Sequence, residues 1–359
     1  MFPGCGVAIR VGQHKWRIAM RKSRQRGSHI LAMSRRRFLQ TSAVAGGVSA
    51  LPASAHPLET GMGKPGKVSS HAPKAAPGPL PVGTSETSPK PLRLGIIIGI
   101  GSDPQAAMAK VHSLGLPTCQ VSTGSVDPGL IPRLKDALNH YQIEATSLVT
   151  GGPGAEIYDF YQGPLTIGLV PRKYRAARIA FMKQASNFAK QCGIPALQTH
   201  CGFIPENPND PLYKEAVEAI REVALHCKGN GQHFRYETGQ ETPITLVRAI
   251  HDVGLENQGV NFDLANLILY DKANPVDALP ILAPYVQGIH AKDGLYPTDP
   301  KNLGQEVPIG QGKVDFRAII DGLKKLKYQG AITIEREISG SEQFEDIWRS
   351  IGYLESLIG

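Results

Sequence analysis

Cysteine is scarce in this chain: five in 359 residues, at Cys5, Cys119, Cys192, Cys201 and Cys227. They form no CxxC pair and no zinc-ribbon spacing, which removes a thiolate metal knuckle and a dithiol redox motif from consideration. The four beyond Cys5 are expected as buried thiols. A membrane-length apolar run is also missing. The mildly apolar stretch Thr41 to Leu51 is too short, and too rich in Gly, Ser and Ala, to cross a bilayer. No complete G-x-G-x-x-G follows the first strand candidate, since Ile98-Gly99-Ile100-Gly101-Ser102-Asp103 stops short, and this weighs against a dinucleotide-binding doubly wound sheet. Acidic residues are absent from positions 1–40, which carry ten Lys and Arg. Beyond residue 55, 29 basic residues face 31 acidic ones, a net charge of −2. The overall charge of +8 therefore belongs to the leader, and the rest has no electrostatic footprint for nucleic acid.

That leader contains Ser34-Arg35-Arg36-Arg37-Phe38-Leu39-Gln40, the twin-arginine export pattern. The stretch Thr41–Leu51 and the small-residue site Ala53-Ser54-Ala55 complete a signal peptide. A basic tail without export function is the plainer alternative. Residues 1–32 precede the motif, which leaves Met1 and Met33 both open as the start. The expectation is export, to a periplasmic or extracellular location, with no stable membrane anchor. Residues 56–91 are crowded with Pro, Gly, Ser and Lys, too polar to bury a core, and read as a flexible linker. Three segments result: a leader over 1–55, the linker over 56–91 and a folded domain over 92–359.

Within 92–359, strand and helix signals alternate. The strand candidates are 94–100, 118–122, 144–149, 196–200, 233–237, 260–263, 286–290 and 331–335. Helical patterning follows at 104–114, 130–141, 172–192, 211–227, 243–253, 275–283, 315–327 and 341–358. Thr242-Pro243 and Asn274-Pro275 supply an N-cap with a first-turn proline. Gly193 and Gly330 stand where a left-handed residue ends a helix. Eight strand–helix repeats over this length predict an α/β fold, a (β/α)8 TIM barrel. Two long connections, Thr150–Pro171 and Gly294–Val314, read as lids or specificity loops. Tyr158, Phe160 and Tyr161 in the first suit either stacking on a sugar or packing over the rim.

Four of the strand candidates stop at a residue of metal-ligand type: Glu237, Asp263, His290 and Glu335. In a barrel these come from the fifth to eighth strands, neighbours around the ring, so their side chains can meet. Three carboxylates and one imidazole suit one divalent ion, Mn²⁺, Mg²⁺ or Co²⁺ before Zn²⁺. A lone residue of this kind is usually structural; four at one level of a barrel are not. His200, Gln240, Glu241 and Lys292 stand where a substrate could be touched. Arg235 shares strand parity with Glu237 and is expected to support its charge from below. Arg336 and Glu337 read as an exposed pair.

These residues resemble the xylose isomerase-like TIM barrels, which include sugar isomerases, ketose 3-epimerases and sugar-phosphate 3-epimerases. The resemblance spans residues 92–359. It maps the epimerase metal ligands onto Glu237, Asp263, His290 and Glu335. It also includes His290-Ala291-Lys292-Asp293 and the segment Val307 to Phe316. The chain departs from the ketose 3-epimerases at Asn266, where they place a substrate-contacting His, and at Lys292 and Asp293, where they carry an Arg. The resemblance implies that Glu237 and Glu335 act as paired acid and base as well as ligands. The superfamily's trinuclear-zinc endonuclease needs further ligands on early strands that Cys119–Ser122 and Leu148–Thr150 do not offer.

Such a site suits proton removal α to a carbonyl through an enediolate. The expected activity is a metal-dependent sugar isomerase or epimerase. A lyase or hydratase on 3-keto sugars or 3-keto glycosides is the runner-up, and a non-catalytic sugar-binding protein the third reading. Sugar phosphates are cytoplasmic, so export favours free, oxidised or glycosidic sugars. The partner is a small-molecule sugar, with a homo-oligomer left open.

Overall fold

The computed structural model describes residues 92–359; the expected signal peptide and linker lie outside the described residues. Ten strands are present among the described residues: β1 (Arg93–Gly99), β2 (Thr118–Ser122), β3 (Glu144–Val149), β4 (Ala196–Thr199), β5 (His233–Glu237), β6 (Gln258–Asp263), β7 (Val286–Ala291), β8 (Asp293–Leu295), β9 (Gln305–Val307) and β10 (Ala331–Ile334). Eight of them close into a barrel in the order β1-β10-β7-β6-β5-β4-β3-β2, with every pairing parallel. The helices are α1 (Pro104–Ser113), α2 (Leu130–Tyr141), α3 (Gly163–Thr166), α4 (Arg172–Cys192), α5 (Pro211–Gly229), α6 (Pro243–Val253), α7 (Leu264–Leu269), α8 (Pro275–Leu282), α9 (Phe316–Lys325) and α10 (Ser341–Ile358). The fold is a (β/α)8 TIM barrel.

Strands β4, β6 and β10 are buried along their whole length, as parallel strands covered on both faces must be. Leu148, Leu197, Phe234, Val260 and Ile289 belong to one apolar cluster shared with the helices. Removing such side chains from water is the main force holding the layers together. Asp103, Asp210, Thr242 and Asn274 each cap a helix by accepting a first-turn N–H, next to a first-turn proline. These caps satisfy donors that the helix itself leaves unpaired. Gly193 ends α4 in the left-handed conformation (φ 76°). Gly330 does not play that part: α9 stops at Lys325, and Lys327 takes the positive φ of 53° instead. The four cysteines in the barrel are buried and free. Among the described residues no helix is long and apolar enough to cross a membrane.

The two long connections are ordered by single buried charges. Fully buried Arg178, on α4, donates to the carbonyls of Pro153 (3.1 Å), Ala155 (2.9 Å), Thr166 (2.6 Å) and Gly168 (2.7 Å), gathering the 150–171 loop onto the helix that follows it. Asp293, at the base of the other connection, accepts from the backbone N–H groups of Gly294, Gly310, Gly312 and Val314 at 2.8–3.1 Å. The 294–314 segment is not a plain loop, because β8 and β9 pair as an antiparallel hairpin within it. The loops also meet: Phe160 N–H donates to the Lys301 carbonyl at 3.1 Å, beside a bridge between Asp159 and Asn302. Gly168 (φ 72°) and Gly202 (φ 93°) let two backbones cross near His200, since a Cβ on either would collide with the opposite main chain.

Candidate metal centre

Glu237 ends β5, Asp263 ends β6, His290 lies in β7, and Glu335 stands one residue past β10. In the barrel order these strands are consecutive, so the two glutamates form the outer members of a four-strand arc. One ligand atom from each side chain lies within 4.8 Å of all the others, and all four residues are buried. His290 Nδ1 is 3.1 Å from Glu237 Oε1, 3.4 Å from Asp263 Oδ2 and 3.0 Å from Glu335 Oε2. Adjacent oxygens around an octahedral ion with bonds of about 2.1 Å are about 3.0 Å apart, so this spacing fits a divalent cation. His290 Nδ1, Asp263 Oδ2 and Glu335 Oε2 are buried without hydrogen bonds. They aim at a shared centre rather than at one another. Orphaned buried polar atoms are costly, and a bound cation would satisfy all three together.

Three other polar atoms of these ligands are committed elsewhere. Asp263 Oδ1 caps α7 by accepting Asn266 N–H at 2.7 Å, which fixes the carboxylate plane and leaves Oδ2 for the centre. His290 Nε2 donates to Gln120 Oε1 at 2.7 Å, which keeps the Nδ1 lone pair available, a familiar way of fixing a ligand tautomer. Gln120 in turn donates to Asn261 at 2.9 Å, in a space opened by Gly288, where a Cβ would strike the Asn261 carboxamide. Ser147 donates to Gln198, and Gln198 donates to Glu237 Oε2 at 3.1 Å. Gln120, Ser147, Gln198 and Asn261 were not singled out from sequence. The only available signal was a polar residue inside an otherwise apolar strand.

Electrostatics follow from burial and crowding. Burial pushes the Glu237 carboxyl up, but the His200 and His290 rings outweigh it and hold the group below its ordinary range. Burial likewise opposes ionisation of Glu335, and Lys292 and His290 outweigh it strongly. Asp263 is the exception, pushed up to about 7 by burial. For His290 burial disfavours the charged ring, yet Glu335 and Glu237 raise it well above its ordinary value. Three carboxylates thus draw a positive charge to Nδ1, and a proton competes there with a metal ion.

The substrate-side candidates divide. His200 Nε2 lies 3.5 Å from Glu237 Oε1, and Nδ1 takes Gln240 Nε2 at 3.3 Å. Gln240 also donates to the Tyr270 hydroxyl at 3.0 Å, leaving Oε1 without a partner. Tyr158 sits edge-on to His200 with ring centroids 6.3 Å apart. Lys292 donates to Asn266 Oδ1 at 3.3 Å and to Glu337 Oε2 at 2.6 Å, and stands 3.4 Å from Glu335. Glu241 is buried with Oε2 unpartnered and its carboxyl pushed up to about 8 by burial. Two expectations change. Arg235 donates to Gln287 at 3.4 Å; Glu237 takes its charge support from the two histidines instead. Arg336 and Glu337 are no pair: Arg336 binds Glu306 (3.1 Å) and Asp346 (2.9 Å), while Glu337 binds Lys292.

A crystal structure of a xylose isomerase domain protein from Planctomyces limnophilus is similar at 34% identity and a TM-score of 0.70, covering 75% of this chain and 98% of that one. The 3-keto-D-glucoside 4-epimerase YcjR of Escherichia coli shares the fold at 14% identity and a TM-score of 0.56, over 74% of this chain and 99% of that one. Structures of sugar 3-epimerases share it as well. The uncharacterized protein YihM of E. coli is 35% identical over 79 residues, 22% of this chain. The chain spans about a quarter (24%) of that relative's length. A sequence model of the xylose isomerase-like TIM barrels matches residues 108–357, and the chain belongs to that family.

Proposed function

We propose that this protein is a metal-dependent sugar isomerase or epimerase that removes a proton α to a carbonyl. The observation that carries the reading is the convergence of Glu237, Asp263, His290 and Glu335 on one centre, with two glutamates at the ends of the arc. Those four side chains would hold the ion. A divalent ion there would supply Lewis acidity, which would make a proton α to a substrate carbonyl easier to remove. Glu237 and Glu335 approach the substrate carbon from separate strands, so one can take the proton and the other return it on the opposite side. His200 orients Glu237, and Gln240 offers a free oxygen to a sugar hydroxyl. Lys292 places a positive charge beside Glu335, where negative charge would develop on the substrate oxygens.

The fold shared with a 3-keto-D-glucoside 4-epimerase supports keto sugars and their glycosides as the pool to search. A lyase on the same compounds would share the first proton transfer and differ only in expelling a neighbouring oxygen substituent. The Glu335→Gln variant tests the common step. It is expected to retain bound metal, measured by elemental analysis, and to lose exchange of the substrate α proton in deuterated water by at least a hundredfold. Undiminished exchange would remove Glu335 from proton transfer.

Export by the twin-arginine route is part of the same proposal and rests on Ser34 to Gln40. Replacing Arg35 and Arg36 together by Lys should retain the protein in the cytoplasm in a fractionation experiment; continued export would refute it.

A further inference from the structure

Glu337 stands two residues beyond Glu335, and two contacts fix it. Its backbone N–H donates to both oxygens of Glu306, at 3.1 and 3.2 Å, and Glu306 is itself held by Arg336. Its carboxylate accepts from Lys292 Nζ at 2.6 Å. The two side chains differ in exposure: Lys292 is 2% exposed and Glu337 57%. The ammonium therefore lies buried against the metal centre, 3.4 Å from Glu335 and 4.0 Å from Asp263, while the carboxylate that caps it reaches solvent. On the other side of the centre Tyr158 stands edge-on to His200, with ring centroids 6.3 Å apart, and His200 Nε2 lies 3.5 Å from Glu237.

We infer that the Lys292–Glu337 pair is an anion filter that restricts the site to uncharged sugars and glycosides and turns away sugar phosphates. The inference rests on the sugar isomerase or epimerase reading and names its substrate class. Lys292 is the cation next to the centre, and an arriving phosphate would ordinarily seek it. Its charge already faces Glu337, Glu335 and Asp263. A phosphate brings between one and two negative charges and a large hydration shell. To reach Lys292 it must displace or lie against the Glu337 carboxylate, which already holds the ammonium at 2.6 Å. An uncharged polyol meets no such opposition, because its hydroxyls can donate to Glu337 and accept from Lys292 without breaking the pair. Glu337 is thus a specificity-determining residue, and its exposed position lets it be replaced without disturbing the core.

Inorganic phosphate is the probe, titrated calorimetrically into the full-length, Mg²⁺-loaded protein. The Glu337→Gln variant is expected to bind phosphate at least tenfold more tightly than the unsubstituted protein. The double variant Glu337→Gln/Lys292→Met should lose that gain, which assigns it to the released ammonium. In parallel, an uncharged ketopentose should bind the unsubstituted protein at least tenfold more tightly than its 5-phosphate, and Glu337→Gln should narrow the ratio. Equal phosphate affinity in the single variant and the unsubstituted protein would overturn the filter, as would a preference of the unsubstituted protein for the phosphorylated sugar. Failure of the two readings is separable. Unaltered α-proton exchange in Glu335→Gln with phosphate discrimination intact removes the proposed proton transfer and leaves the filter standing. Lost exchange with no effect of Glu337→Gln on phosphate does the reverse.

Discussion

The two connections that roof the barrel are held by charges of opposite sign reaching from opposite directions. Between β3 and α4, a cation on the following helix collects four carbonyls of the loop behind it. Between β7 and α9, an anion at the root of the segment collects four backbone N–H groups, three of them 17 to 21 residues ahead. The first loop depends on α4 staying docked, so its order is borrowed from the helical layer. The second is tied to its own stem, immediately beside Lys292, so its order is inherited from the strand that carries His290. A guanidinium suits the first task because five N–H donors in a fixed fork can serve several carbonyls. A carboxylate suits the second because two oxygens can each accept more than one N–H.

Removing the cation should have the largest effect. Arg178→Met leaves four carbonyls without their donor and is expected to cost on the order of 3–5 kcal/mol. Urea denaturation would read the loss, and limited proteolysis would show new cleavage within 150–171. Cleavage within 294–314 instead would break the comparison. Asp293→Asn keeps the size but sets an NH₂ group against backbone donors, at an expected cost of about 2–3 kcal/mol. Here the new cleavage should fall in 294–314, together with weakened metal binding by calorimetry, because Lys292 and His290 share that strand end.

Glu241 sharpens the contrast by taking partners away. Asp293 has four donors, whereas Glu241 is equally buried with an oxygen that accepts nothing, and burial pushes its carboxyl up to about 8. The folded protein therefore holds a proton that the unfolded chain releases near the ordinary value of about 4.3. Stability from this group is fully present below that value and is lost as the pH rises toward 8. Glu241→Gln should match the unsubstituted protein near pH 4 and exceed it by about 1–3 kcal/mol near pH 7.5. Denaturation midpoints across that range would test it; a gain independent of pH would place the charge elsewhere.

These contrasts also show what the sequence makes legible. Alternating apolar strands and helical faces announce the barrel, because the strand and helix periods are local properties. Glu237, Asp263 and Glu335 stand out because each stops an apolar run, and His290 because it is an ionisable residue in one. Gln120, Gln198 and Asn261 stay hidden, since one amide within a strand looks the same whether it faces a helix or the barrel interior. Arg178 and Asp293 are hidden for another reason: their partners are main-chain atoms, which no residue type advertises. The β8–β9 hairpin is obscured by three-residue strands. The Lys292–Glu337 pair joins positions 45 apart, and Glu337 is more easily matched with adjacent Arg336, which the fold sends to Glu306 and Asp346.

Asp263 spends one oxygen on the first turn of α7, and His290 spends one nitrogen on Gln120. These two ligands are thus oriented before any ion arrives, by contacts made through atoms other than those that face the centre. Loading should need little conformational work, so competing cations would meet the same prepared geometry and their relative abundance would decide which one is carried. The identity of the working ion is then a property of the surroundings as much as of the barrel.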